Sequence, residues 1–227
     1  MILFAADNHY GTHPGRVLNE QLAGLYDIAF FEDDWSCFED KPLLETCDLL
    51  VLNMISGCCD IPEPSEQGIA NVRAYCEAGG NLLLLHGASA AFWQCDWWRP
   101  IVGHRWVRGN DADGFVPSTH PRQPYTIVPA KCRHPLCAKL QVMELPEDEI
   151  YTELEQTCPT TVLMTTDVNG KTYPQCYETA TPWGGTILCF VPGHDEAVVR
   201  RPELVANCRT LIDYLLPVEC QPSRGRS

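Results

Sequence analysis

Positive charge is scarce in this chain: 16 lysines and arginines stand against 30 acidic residues, a formal net charge of −14 over 227 residues. Apart from the short Arg224–Arg226 tail the basic residues form no run. Nucleic acid and anionic membranes are bound through basic faces that displace counterions, so neither is an expected partner. Long apolar runs are missing too. None approaches the roughly 20 residues of a membrane helix, and the opening MILFAADNHY lacks both the basic flank and the apolar length of a signal peptide. The expectation is a soluble, cytoplasmic protein. No internal repeat or low-complexity segment interrupts the chain before the polar tail.

What remains is 45% hydrophobic and 20% charged, enough to bury one full core. A single α/β domain over residues 1–217 is expected, with 218–227 as a polar C-terminal tail. Thirteen cysteines cannot all pair, and they are scattered through apparent strands and helices rather than framing loops, which predicts buried, reduced thiols. Cys132 to Cys137, with His134 between them, is the one compact Cys/His group. It lacks the second pair that a zinc site needs.

Apolar patterning predicts strands at Met1–Ala6, Ile28–Glu32, Asp48–Met54 and Leu82–Leu85, with helices at Arg16–Leu25 and, preceded by Pro62 and Pro64, through about Ala78, the latter closed by Gly79 and Gly80. The four leucines of 82–85 suit a central strand covered on both faces. Further strands are expected at Tyr125–Val128, Gln141–Leu145, Thr161–Thr166 and Thr186–Val191. A last helix over Pro202–Leu216 carries Leu204, Val205, Cys208, Leu211, Ile212 and Leu215 at helical spacing.

In an open α/β sheet ligands sit beyond the carboxyl ends of the strands, and three histidines stand there: His9, His86 and His194. Neutral imidazole serves both proton transfer and metal ligation. Glu147, Asp148 and Glu149 offer either a carboxylate whose pKa is raised by its like-charged neighbours or a solvated loop after Pro146. Trp93, Trp97, Trp98 and Trp106 either stack on sugar rings or pack an amphipathic helix, Trp93 against Trp97. Gly87-Ala88-Ser89-Ala90-Ala91 approaches the G-x-S-x-G elbow, and Ser89, Asp148 or Glu149, and His194 follow the chain order of an α/β-hydrolase triad. The closing glycine is absent, however, and Ser89 lies past the tight turn.

LLLLHGASAAF, the Glu147-Asp148-Glu149-Ile150-Tyr151 segment and VPGHDE before a terminal helix together resemble the trehalose-utilisation, or ThuA-like, family, in order and over nearly the whole chain. The resemblance implies a class I glutamine amidotransferase-like fold, that is, a flavodoxin-like parallel sheet flanked by helices. His86 stands where such amidotransferases carry a cysteine nucleophile, and Leu84 replaces the leading glycine of that motif. Imidazole cannot form a glutamyl thioester, so glutaminase activity is not expected. His194 matches the amidotransferase histidine. His104 and His120 resemble family histidines, whereas the short first loop leaves His9 and His13 without an assigned role.

The resulting expectation is an isomerase, lyase or hydrolase acting on a small-molecule carbohydrate, a keto sugar among the candidates, with self-association into a homo-oligomer left open. His86, His194 and Glu149 are the catalytic candidates. Ser89, Trp93, Trp97, His104 and Tyr151 are the substrate-binding ones. The same His86, His194 and Glu149 could instead hold a divalent metal, since two imidazoles and a carboxylate form a catalytic zinc shell. The same residues are also compatible with a sugar-binding module without catalysis, and Ser89 with a serine hydrolase.

Overall fold

Alternation along the first strand sets the architecture. In the computed structural model, which describes residues 1–217, Ile2, Phe4 and Ala6 of β1 (Ile2–Ala6) join one apolar cluster while Leu3 and Ala5 join another on the opposite face. A strand buried on both faces must carry apolar residues at every position. This one does. The helix α1 (Pro14–Leu22) then leads to β2 (Ile28–Glu32), and two short helices, α2 (Ser36–Glu39) and α3 (Lys41–Glu45), lead to β3 (Leu49–Asn53). Ser65 caps α4 (Glu66–Glu77) by accepting the Gly68 N–H at 3.1 Å, and β4 (Leu82–Leu85) follows.

After β4 the chain runs through a 3₁₀ turn (His86–Ala90) and successive turns to β5 (His104–Arg105). The tryptophan segment is therefore not the amphipathic helix that the Trp93 and Trp97 spacing allowed. Strands β6 (Arg122–Pro129), β7 (Met143–Glu149), β8 (Glu155–Gln156), β9 (Thr161–Val168), β10 (Lys171–Ala180) and β11 (Thr186–Phe190) follow, then α5 (Glu196–Val199) and α6 (Pro202–Leu215). The polar tail 218–227 lies outside the described residues.

One nine-stranded sheet runs in the order β2-β1-β3-β4-β11-β10-β9-β6-β7, and β5 pairs with β8 separately. The fold is a mixed α/β sheet flanked by helices, and the expectation of a parallel sheet needs correction. The pairings from β2 to β11 are parallel, but those from β11 to β7 are antiparallel. The antiparallel half is built of hairpins, which need no helical crossover. Strand β10 has no counterpart among the expected strands because Pro174 interrupts its pattern, and proline is tolerated in a sheet chiefly at edges and bulges. The register with β9 shifts next to that proline, between Pro174 and Cys176. The Asn169-Gly170 turn, with φ of 51° and 78°, is the readable signal for the hairpin.

Cysteine usage also departs from expectation at one place. Cys132 and Cys137 are joined as a disulfide, so this pair is neither reduced nor a zinc ligand set. Ten other cysteines among the described residues are free, as expected.

His104, at the start of β5, is buried with Nε2 3.1 Å from Thr160 Oγ1 and its ring against Tyr177. Burial pushes its pKa down to about 4. Because the unfolded histidine takes its proton near pH 6.5 while the folded one resists it, stability is full above that value and falls as pH drops from about 6.5 to about 4. We expect a loss of roughly 1–3 kcal/mol across this window, reduced in a His104→Gln variant, as read by chemical denaturation at about pH 7 and about pH 4.5.

Candidate functional site

The parallel strands deliver their histidines to one place. Beyond β1, Asp7 accepts the N–H groups of His9 at 3.0 Å and Ile55 at 2.7 Å, fixing a turn in which His9 and Tyr10 take positive φ (44° and 57°). Beyond β4, His86 has φ 51°, a strained elbow where the strand passes into the 3₁₀ turn. Side chains rarely hold this conformation without support from their surroundings. Here Nδ1–H donates to the Val191 carbonyl at 2.9 Å, which leaves Nε2 as the acceptor of the ring.

Beyond β11, Gly193 turns the chain at φ 116°, and the N–H groups of Gly193 and His194 donate to the Asp148 carboxylate at 2.8 and 3.1 Å. Tyr125 donates to the same group at 3.3 Å. The last residues of β7, an edge strand, are thereby tied to the loop that carries His194. Asp148 and Glu149 divide the work: Asp148 is fully buried beneath the loop, while Glu149 faces the cavity.

The nitrogens converge. His194 Nδ1 lies 3.0 Å from His9 Nε2, 3.3 Å from His86 Nε2 and 3.2 Å from Glu149 Oε2. The ligand atoms of His9, His86 and His194 all lie within 4.8 Å of one another, and the three residues are buried. Glu149 also stands 3.7 Å from His86 Nε2, and its other oxygen is 3.1 Å from Nδ1 of the half-exposed His120. Tyr151 donates its hydroxyl to His86 Nε2 at 3.1 Å. Burial, reinforced by the charges of Glu149 and Asp148, holds Tyr151 well above the usual phenol range, so it remains a protonated donor.

Burial also drives His86 well below the ordinary histidine pKa, and the neighbouring His9 and His194 push it further. It is neutral at pH 7. Burial alone would raise Glu149, but the hydrogen bond and charge of His194, with His120 and His9 behind it, leave its pKa lowered. Asp148 goes the other way. Burial raises it against the opposing N–H donors of Gly193, Glu149 and His194.

Above these groups opens a cavity of about 340 Å³ lined by Tyr10, Ile55, Gly87, Trp106, Arg108 and Tyr151 together with His9, His120, Glu149 and His194. Gly87 forms part of its floor, where a Cβ would come within 2.5 Å of Ile55 Cδ1 and 3.2 Å of the Tyr151 hydroxyl. A Gly87→Ala variant should therefore lose about 1–3 kcal/mol through overpacking and bind any cavity ligand more weakly, as shown by thermal unfolding and calorimetry.

Of the residues expected from the sequence, His86, His194, Glu149 and Tyr151 are brought together. Ser89, Trp93, Trp97 and His104 are not part of the cavity lining. Ser89 is buried behind the elbow, its carbonyl accepting the Trp98 indole N–H at 2.8 Å. Trp93 carries Arg108 on its face, 4.3 Å from the centroid, and Trp97 packs against the second core cluster. His104 lines a smaller cavity of about 170 Å³, which also borders Tyr151. His13 is turned away towards Glu32 at 3.2 Å. His9, a strand-end residue to which the sequence assigns no role, is a full member of the cluster, and His120 joins the site through Glu149. Asp7, Tyr10 and Arg108 escape sequence reasoning, since nothing in their local sequence reports the partner loops.

No helix among the described residues is long and apolar enough to cross a membrane. No curated protein matches the chain significantly in sequence. Solved structures do match its fold. A ThuA-like protein from Parabacteroides merdae ATCC 43184 superposes with a TM-score of 0.75 at 18% identity, covering 94% of this chain and 88% of that one. A second, from Bacteroides uniformis ATCC 8492, gives 0.67 at 13% identity over 94% and 89%. A cytoplasmic protein from Salmonella typhimurium gives 0.64 at 12% identity over 95% and 98%. The ThuA family, described as trehalose utilisation, matches residues 13–214, a span that includes His86, Glu149 and His194. The chain belongs to the ThuA family.

Proposed function

We propose that the chain is a carbohydrate-directed enzyme whose His9, His86 and His194 hold a divalent cation at the floor of the cavity. One observation carries this reading: His9 Nε2, His86 Nε2 and Glu149 Oε2 all lie 3.0 to 3.3 Å from His194 Nδ1. Three imidazole nitrogens and a carboxylate oxygen converging on one point form a donor set for a cation, which would take the place of the Tyr151 hydroxyl on His86 Nε2. The surroundings fit it as well. Metal-bound imidazoles typically give their second ring nitrogen to a carbonyl or carboxylate, as His86 does to Val191, and His9 Nδ1 faces Asp7 Oδ1 at 3.6 Å. Three imidazoles beside a carboxylate suit zinc or another first-row ion.

When bound, the cation would polarise a carbonyl or hydroxyl oxygen of the sugar. Glu149, kept ionised, would take the proton from the carbon beside a ketone, the C–H electron pair forming the C=C bond of the enolate as the carbonyl π pair passes to oxygen. Reprotonation at the adjacent carbon gives isomerisation, and loss of a neighbouring alkoxy group gives elimination. His120, bonded to Glu149 and 52% exposed, connects the base to solvent. Trp106 and Tyr10 offer aromatic faces to a ring, and Arg108 and Tyr151 offer donors to its hydroxyls. We read the parallel half, with its order β2-β1-β3-β4-β11, as a flavodoxin-like unit that presents this site at its strand ends.

The test is a screen of unmodified and 3-keto disaccharides with chelator-stripped protein and with protein reloaded with Zn²⁺ or Mn²⁺. Turnover of a keto sugar that depends on the added ion supports the proposal. Equal turnover by stripped and loaded protein would return the site to metal-free acid-base chemistry.

A further inference from the structure

The loop leaving β3 sets two adjacent cysteines beside the histidine centre without using them in it. Neighbouring side chains of an extended strand point to opposite faces, and those of a helix diverge around its axis. Adjacent thiols therefore do not ordinarily converge. In this loop Gly57, Cys59 and Asp60 take φ of 70°, 61° and 55°, and the resulting coil brings Cys58 Sγ to 3.1 Å from Cys59 Sγ. A positive φ at a residue with a side chain costs on the order of 1 kcal/mol or more and persists where surroundings impose it.

Asp7 completes the group. Its Oδ2 lies 3.3 Å from Cys58 Sγ, and the ligand atoms of Asp7, Cys58 and Cys59 all lie within 4.8 Å of one another. Cys59 Sγ accepts the Tyr10 N–H at 3.2 Å. Both cysteines are free and partly exposed, whereas Cys176, Cys189 and Cys208 are sealed in the core. Two sulfurs and a carboxylate oxygen form a softer donor set than the imidazoles next to them, and softness sorts metals between sites.

We propose that Asp7, Cys58 and Cys59 form a second cation site, distinct from the histidine centre, that takes a thiophilic divalent ion such as Zn²⁺ or Cd²⁺. On binding, both S–H bonds break, each sulfur gives its electron pair to the ion, and two protons pass to solvent. Thiolates in a tetrahedral zinc shell stand roughly 3.8 Å apart, from a Zn–S length of about 2.3 Å. The thiols need to open by only about 0.7 Å to reach this spacing, a movement available to two partly exposed side chains. The two sites share Asp7, whose Oδ1 accepts the His9 N–H while Oδ2 faces Cys58. An ion on the sulfurs would thus bear on the turn that positions His9. The sulfur site does not depend on the carbohydrate reading.

Cadmium titrated into the full chain provides the test, with thiolate-to-cadmium charge-transfer absorption and the number of bound ions as readouts. We expect an absorption band and two bound equivalents in the unaltered protein. Cys58→Ser and Cys59→Ser should each lose the band and one equivalent. His86→Ala should lose the other equivalent and keep the band. In the unaltered protein, cadmium should slow alkylation of Cys58 and Cys59 by at least about tenfold, as mapped by mass spectrometry. A band that persists in both serine variants, or thiols alkylated at the same rate with and without cadmium, would overturn the site. Failure of the histidine centre would appear differently, as a His86→Ala variant that loses no equivalent.

Discussion

Replacing His86 with alanine is expected to weaken binding of the first divalent cation by at least about 100-fold and to abolish turnover of any sugar the protein accepts. Outer-shell partners of a metal typically contribute 10- to 100-fold in affinity, and His86 is placed to act in the inner shell. Its imidazole is held in one tautomer by the Val191 carbonyl, in one orientation by the elbow at φ 51°, and in its neutral state by burial. Isothermal titration with Zn²⁺ measures the affinity, and the ion-dependent disaccharide assay measures the turnover. Ser89→Ala should leave both unchanged, because Ser89 lies behind the elbow and outside the cavity lining. Equal effects of the two substitutions would point to a general packing defect instead.

The second large effect is expected at a residue that touches no ligand. Asp148 is fully buried and accepts from Gly193 N–H, His194 N–H and the Tyr125 hydroxyl. Asp148→Ala strands these donors. Leaving a buried donor without a partner costs about 1–3 kcal/mol, so a net loss of roughly 2–4 kcal/mol is expected, after allowing for relief of the carboxylate's own desolvation. Denaturant unfolding reads that loss. The same substitution frees the loop carrying His194, so cation affinity should fall in the variant that remains folded at low temperature. A variant of unchanged stability and affinity would show that the Gly193-His194 turn is held by the backbone alone.

Much of the parallel half is legible in the sequence because its strands are buried on both faces and write continuous apolar runs, as in Ile2–Ala6 and Leu82–Leu85. Strand-end histidines can be found by the same rule, since a run that stops on a polar residue marks the carboxyl edge of the sheet. The antiparallel half is harder to read. Its strands alternate or carry proline, and Pro174 hides β10, whose register shifts beside it. Membership of the site depends on contacts that no local pattern records. His9 and Glu149 are 140 residues apart in sequence and meet at His194, and the Trp93 and Trp97 spacing suggests a helix where turns form instead. Acidic neighbours are ambiguous for a similar reason. Asp148 and Glu149 are adjacent, yet one anchors a loop and the other faces the cavity.

X-ray absorption at the metal edge, on protein stripped by chelator and reloaded with one equivalent of Zn²⁺, addresses the central claim most directly. A cation held by His9, His86 and His194 predicts a shell dominated by imidazole, with three nitrogens at about 2.0–2.1 Å, that is lost in His9→Ala, His86→Ala and His194→Ala alike. A shell dominated by sulfur, or a zinc ion retained undisturbed in all three variants, would contradict it.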